Sequence, residues 1–124
     1  MTSPTTESER AMTDAEQPLL RGHQVALQDA KARLLETGGY AIVHESPGLE
    51  LGVYVLVAPE PDRQQPHADD EVYVVLEGTG TLEVEGASYT LDVGHSVFVP
   101  AGAEHRFVGY EQLSVLVIFE KRPR

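Results

Sequence analysis

Gln64–Gly78 reads QQPHADDEVYVVLEG, with a histidine and three carboxylates leading directly into an almost purely apolar run. The run Glu71–Gly78 is rich in β-branched and aromatic residues and stops at glycine, the signature of a strand. Side chains alternate faces along a strand, so Glu71, Tyr73 and Val75 share one side and Val72, Val74 and Leu76 the other. Asp69 and Asp70 suit a turn before that strand. His67 and Glu71 remain as polar groups at the mouth of a segment built for burial, and their chemistry calls for partners elsewhere in the chain.

The surrounding sequence reads as more strands of the same kind. YAIVHES (40–46) and LELGVYVLVAP (49–59) come before it. TLEVEG (81–86), SYTLDV (88–93), SVFVPAG (96–102), HRFVGY (105–110) and LSVLVIFE (113–120) follow, each bounded by Gly, Pro or Asp. Short, regularly punctuated strands without intervening helices indicate an antiparallel sandwich or barrel. One helix is expected, over residues 24–36, where Val25, Leu27, Ala30, Leu34 and Leu35 fall on one face and Gly38-Gly39 ends the pattern. Residues 1–17 are rich in Ser, Thr, Glu and Pro and are expected to be a disordered tail, leaving 18–124 as a single domain.

Composition narrows the classes of function. With 124 residues the chain has room for one core. A formal charge of −11 argues against a nucleic-acid partner, and the basic KRPR end, Lys121–Arg124, reads as a solubilising terminus. No cysteine is present, which excludes disulfides, zinc–thiolate sites and thiol nucleophiles. No apolar run approaches the roughly 18 residues of a membrane span, and the N-terminus lacks the apolar core of a signal peptide, so a cytoplasmic protein without a membrane partner is expected. Neither a Gly-x-Ser-x-Gly elbow nor a phosphate-cradling glycine loop leading into a helix is visible.

A second polar segment completes the picture. In GHSVFVPAGAEHRFVG, Gly94–Gly109, a Pro-x-Gly turn precedes a strand opening near His105, with His105 and Phe107 on one face. Together the two segments resemble the paired motifs of the cupin superfamily, small β-barrels of jelly-roll type. The first family motif ends H-x3/4-E-x6-G and appears as His67, Glu71 and Gly78. The second, G-x5-P-x-G-x2-H, appears as Gly94, Pro100, Gly102 and His105. Gln65 stands where the family usually has another histidine, and Gly109 where it often has Asn.

The resemblance implies an all-β, cupin-type jelly-roll barrel with one short N-terminal helix. It also implies one divalent transition metal (Fe, Mn, Ni, Co or Zn) held by His67, Glu71 and His105, with Gln65 in the fourth place. Two imidazoles and a carboxylate leave positions open for substrate, as non-haem iron oxygenases require. A substrate pocket is expected among Gln65, Tyr73, Phe107 and Tyr54, with Tyr73 as a candidate catalytic group. The implied activity is that of a metal-dependent oxygenase, isomerase or lyase acting on a small organic molecule. A non-catalytic binding or sensing protein, with the metal structural or absent, is the alternative. A homodimer is also implied, with the helix and LSVLVIFE as its candidate contacts. His95 is expected to be exposed in a turn and His23 solvated, while His44 on the first strand could face either way.

Overall fold

The computed structural model describes residues 21–121. The expected tail, residues 1–17, lies outside the described residues. A helix, α1 (Leu27–Leu34), is followed by eight strands: β1 (Gly39–Ser46), β2 (Leu49–Val57), β3 (Glu71–Gly78), β4 (Gly80–Val84), β5 (Ala87–Leu91), β6 (Ser96–Val99), β7 (His105–Val108) and β8 (Gln112–Glu120). Each run of alternating apolar residues in the sequence becomes one of these strands. The helix is shorter than residues 24–36, because Ala26 is extended and offers no side-chain cap to a longer first turn. It stops as expected, at Gly38, which takes φ +73° and returns its N–H to the Leu34 carbonyl at 2.7 Å.

The strands form two antiparallel sheets, ordered β1-β2-β8-β3-β6 and β5-β4-β7. Their facing sides meet in one core built around Tyr73, Val75, Leu82, Phe107, Val115 and Val117. A second, smaller cluster lies on the outer face of the larger sheet, where Ala30 of α1 covers Val53 and Val55. This explains the unbroken apolar run of β2: Tyr54 and Leu56 turn into the barrel while Val53 and Val55 turn out beneath the helix. β8 lies between β2 and β3, so both of its edges are hydrogen-bonded. Only outward side chains such as the half-buried Leu116 and Ile118 remain on it for a subunit contact.

The long connection between β2 and β3 carries Pro59, Pro61 and Pro66, which cannot donate to a ladder, and it runs as a loop. Three ties fix it to the barrel rim. The Gly102 N–H donates to the His67 carbonyl at 2.8 Å, and the Ala101 N–H to Asp70 Oδ1 at 2.9 Å. Strand β7 is the edge of the smaller sheet, and its Phe107 N–H donates to Asp62 Oδ2 at 2.9 Å. The loop thus covers an otherwise open edge.

Leu82, fully buried at the centre of the core, tests this packing against Val93, which is 62 % exposed. Leu82→Ala is expected to cost about 2–5 kcal/mol in urea denaturation, and Val93→Ala less than about 0.5 kcal/mol. Comparable losses from the two would contradict the assigned core.

Candidate metal centre

Glu71 is the first residue of β3 and His105 the first of β7, which places both at the rim of the barrel with their side chains turned inward. Each is almost entirely buried. His67 reaches the same point from the loop, held by its carbonyl's bond to Gly102. His105 Nε2 lies 3.1 Å from Glu71 Oε1, and His67 Nε2 lies 3.9 Å from the same oxygen. One donor atom from each of the three falls within 4.8 Å of the others. Metal–donor bonds of about 2.1 Å place neighbouring donors roughly 3.0–3.4 Å apart, so the spacing suits a single ion after small adjustments.

The protonation states point the same way. His105 Nδ1 bonds to the Ala103 carbonyl at 2.9 Å, which makes Nδ1 the donor and leaves Nε2 with its lone pair facing Glu71. While His105 is neutral, both oxygens of the Glu71 carboxylate are buried without a hydrogen-bond donor among the described residues. A buried carboxylate left in this way costs several kcal/mol unless a cation accompanies it. A proton on His105 or a metal ion supplies that cation. Burial works against protonating His105, but its bonds to Glu71 and to the Ala103 carbonyl, with the Glu71 charge, outweigh burial and raise its pKa above 6.5.

The fourth side of the cluster differs from expectation. Gln65 is exposed and stands outside it, because residues 58–70 form a loop in which strand alternation does not apply. Its neighbour Gln64 takes the inner place. Gln64 Oε1 lies 3.2 Å from His67 Nε2, 3.2 Å from His105 Nε2 and 3.0 Å from the Tyr73 hydroxyl.

Above the cluster is a cavity of about 260 Å³. Tyr40, Tyr54, Val117 and Phe119 form its walls, and Gln64, His67, Glu71 and Tyr73 its floor. Two of the expected pocket residues, Tyr54 and Tyr73, are therefore in place. Gln65 is not, and Phe107 is instead packed behind Tyr73 and Tyr54 in the core, at ring-centroid distances of 4.8 and 6.3 Å. All three tyrosine hydroxyls are engaged: Tyr40 donates to Glu50, Tyr54 to Asp62 and Tyr73 to Gln64. Burial first, and then the neighbouring carboxylates, raise all three pKa values well above the ordinary tyrosine value, so the hydroxyls stay protonated. The walls offer ring faces to a ligand, and the polar groups are gathered on the floor.

Of these groups, sequence reasoning missed Gln64, Asp62, Tyr40, Val117 and Phe119. Val117 and Phe119 were within reach, since alternation along LSVLVIFE places them on one face with Leu113 and Val115. No local pattern marks Tyr40, Asp62 or Gln64. His95 is exposed, as expected, and His44 faces His23 at 3.0 Å, away from the cavity.

Comparison with known proteins agrees with this architecture. Residues 53–119 match the Cupin domain family, Cupin_2. An uncharacterized protein of Streptomyces coelicolor is 38% identical over 88 residues, which is 70% of this chain and 84% of that one. An RmlC-like cupin from Methanocaldococcus jannaschii with a double-stranded β-helix fold superposes with a TM-score of 0.61 at 16% identity, over 68% of this chain and 81% of that chain. The DMSP lyase DddQ from Ruegeria pomeroyi gives a TM-score of 0.62 at 23% identity, over 72% and 49%. The strand order, the two rim motifs and these likenesses together make this chain a member of the cupin superfamily.

Proposed function

We propose that this cupin holds one divalent transition metal (Fe, Mn, Ni, Co or Zn) through His67, Glu71 and His105 and acts as a metal-dependent enzyme on a small organic molecule. The observation that carries this reading is the Glu71 carboxylate, buried without a donor against the bare Nε2 of His105. When bound, such an ion supplies Lewis acidity to an oxygen atom of the ligand. The chain's own groups do the rest. Tyr73, protonated at the cavity floor, turns its one proton from Gln64 to the ligand's polar end when a ligand is bound, and the aromatic walls exclude water and align its body. Isomerase, lyase and oxygenase reactions all use this arrangement, and product analysis with and without oxygen separates the last from the others.

The cavity also limits the substrate. Among the described residues no Lys or Arg lines it, so an anionic group remote from the metal would meet no cationic partner from them. The walls have no free hydroxyl to receive a polyol. Its volume lies below the roughly 300–1,000 Å³ of pockets that take drug-sized ligands. The substrate class that fits is a small molecule with one oxygen-donor end and an uncharged, apolar or aromatic body. The homodimer expected of a small cupin would use the outer face of the larger sheet, beside Leu116 and Ile118.

Metal content measured across pH tests the centre. Neutral imidazole is the ligand, so protons compete with the metal as pH falls, and the raised pKa of His105 strengthens that competition. In the metal-free protein the same shift acts on stability with the opposite sense. The contribution is complete below about pH 6.5 and is lost as pH rises through the raised folded value. His67→Ala and His105→Ala are expected to retain little metal at any pH while circular dichroism shows the barrel intact. Full stoichiometry in either variant would remove that histidine from the centre.

Ligand class is tested by thermal shift of the metal-loaded protein against small phenolic or aliphatic hydroxy and keto compounds, with sugar phosphates as the contrast. The first group should stabilise and the second should not. A Cβ on Gly52 would overlap the ring of Tyr40, which is 40 % exposed and can turn outward by giving up its bond to Glu50. Gly52→Ala should therefore weaken the stabilisation while leaving the ligand-free melting temperature within a few degrees. Preferential stabilisation by sugar phosphates would contradict the assigned class.

A further inference from the structure

Asp62 and Gln64 form a pair that neither family motif contains. Asp62 is 3 % exposed, and its carboxylate accepts four hydrogen bonds. Oδ1 takes the Tyr54 hydroxyl at 2.7 Å and the Gln64 N–H at 3.2 Å. Oδ2 takes the Gln64 side-chain Nε2 at 2.7 Å and the Phe107 N–H at 2.9 Å. An ionised carboxylate has about four acceptor positions, so this one is saturated and has no freedom to turn. It joins the loop, the cavity wall and the edge of β7 at a single point.

The consequence falls on the Gln64 amide. An ionised carboxylate only accepts, so the group facing Asp62 must be the NH2, and Oε1 must face the two imidazoles. We propose that Gln64 Oε1 is the fourth protein ligand of the metal centre and that Asp62 is the positioning residue that aims it. This rests on the reading of His67, Glu71 and His105 as a metal centre. Three features of the geometry support it. Oε1 is equidistant from the two histidine nitrogens, at 3.2 Å, a spacing close to that of neighbouring donors around one ion. His105 Nε2 and Gln64 Oε1 are both acceptors, because Nδ1 of that ring is committed to Ala103, and a cation between them relieves the opposition. The charge-assisted bond from Nε2 to Asp62 draws electron density toward Oε1, making an otherwise weak amide ligand more basic.

The chain therefore fills the place of the usual motif histidine from a different backbone position, one residue earlier and on a loop. The neutral oxygen keeps the charge of the three-ligand set while closing one coordination position. The site should then favour metals that accept mixed nitrogen and oxygen donors over those that need soft ligands.

Cobalt(II) titration of the metal-free protein tests this, read by the intensity and position of the visible absorption bands and by competition with a chelator. Wild type should bind one equivalent. Gln64→Ala should weaken binding about tenfold or more and shift the bands, because it removes a ligand oxygen. Asp62→Asn should weaken binding about 10–100-fold, the range seen when a ligand loses its outer partner. Gln65→Ala, at the exposed neighbouring position, should match wild type in both readouts. If Asp62→Asn does not fold, the Gln64→Ala result decides alone. One bound cobalt with an unchanged spectrum and affinity in Gln64→Ala would overturn the fourth ligand and leave the three-residue centre standing. Wild type that binds no cobalt, nickel or zinc would overturn the centre itself, and the fourth ligand with it.

Discussion

Glu71 begins β3, an interior strand of a well-packed barrel, yet while His105 is neutral no donor among the described residues meets its carboxylate. Proteins seldom bury a charge in this way, since the desolvation of an unpaired carboxylate exceeds the gain from any single packing contact. Everything close to it repeats the same pattern. The bare nitrogen of His105 and the amide oxygen of Gln64 present lone pairs to the same small volume, and the Tyr73 hydroxyl has one proton to share among them. Such a cluster is stable around a cation and unfavourable without one. The proposed metal centre and the proposed role of Asp62 both rest on that excess of acceptors.

The loop between β2 and β3 has no secondary structure, yet it supplies two of the residues that converge here. Its accuracy comes from polar ties to the rim. Asp62 is anchored to the free edge of β7, and the backbone at His67 and the side chain at Asp70 receive the N–H groups of the turn before His105. The two rim motifs are therefore bonded to each other as well as facing one another. The cavity walls, by contrast, come from the regular alternation of β1, β2 and β8.

The fold was legible from the sequence because each strand carries its own period-two pattern and its own stop signal. His67, Glu71 and His105 were legible through the two motifs this chain shares with the cupin family, which set all three in register. The pattern failed where periodicity ended. The family motif puts Gln65 in the fourth place, but the three prolines of that segment keep it off any ladder, and Gln64 points inward instead. Asp62 could not have been found from local sequence, since its four hydrogen bonds come from three residues, in the loop, β2 and β7, that meet only in three dimensions. Phe107 shows the reverse error. Its shared face with His105 was read correctly, but one strand step carries it past the rim and into the core.

The most direct test of the central claim is a crystal structure of the protein soaked in manganese(II) or zinc(II), with anomalous data collected at the metal's absorption edge. The account predicts one strong anomalous peak bounded by His67 Nε2, Glu71 Oε1 and His105 Nε2. A map without a peak at that point, or with its only strong peak among the surface carboxylates, would contradict it.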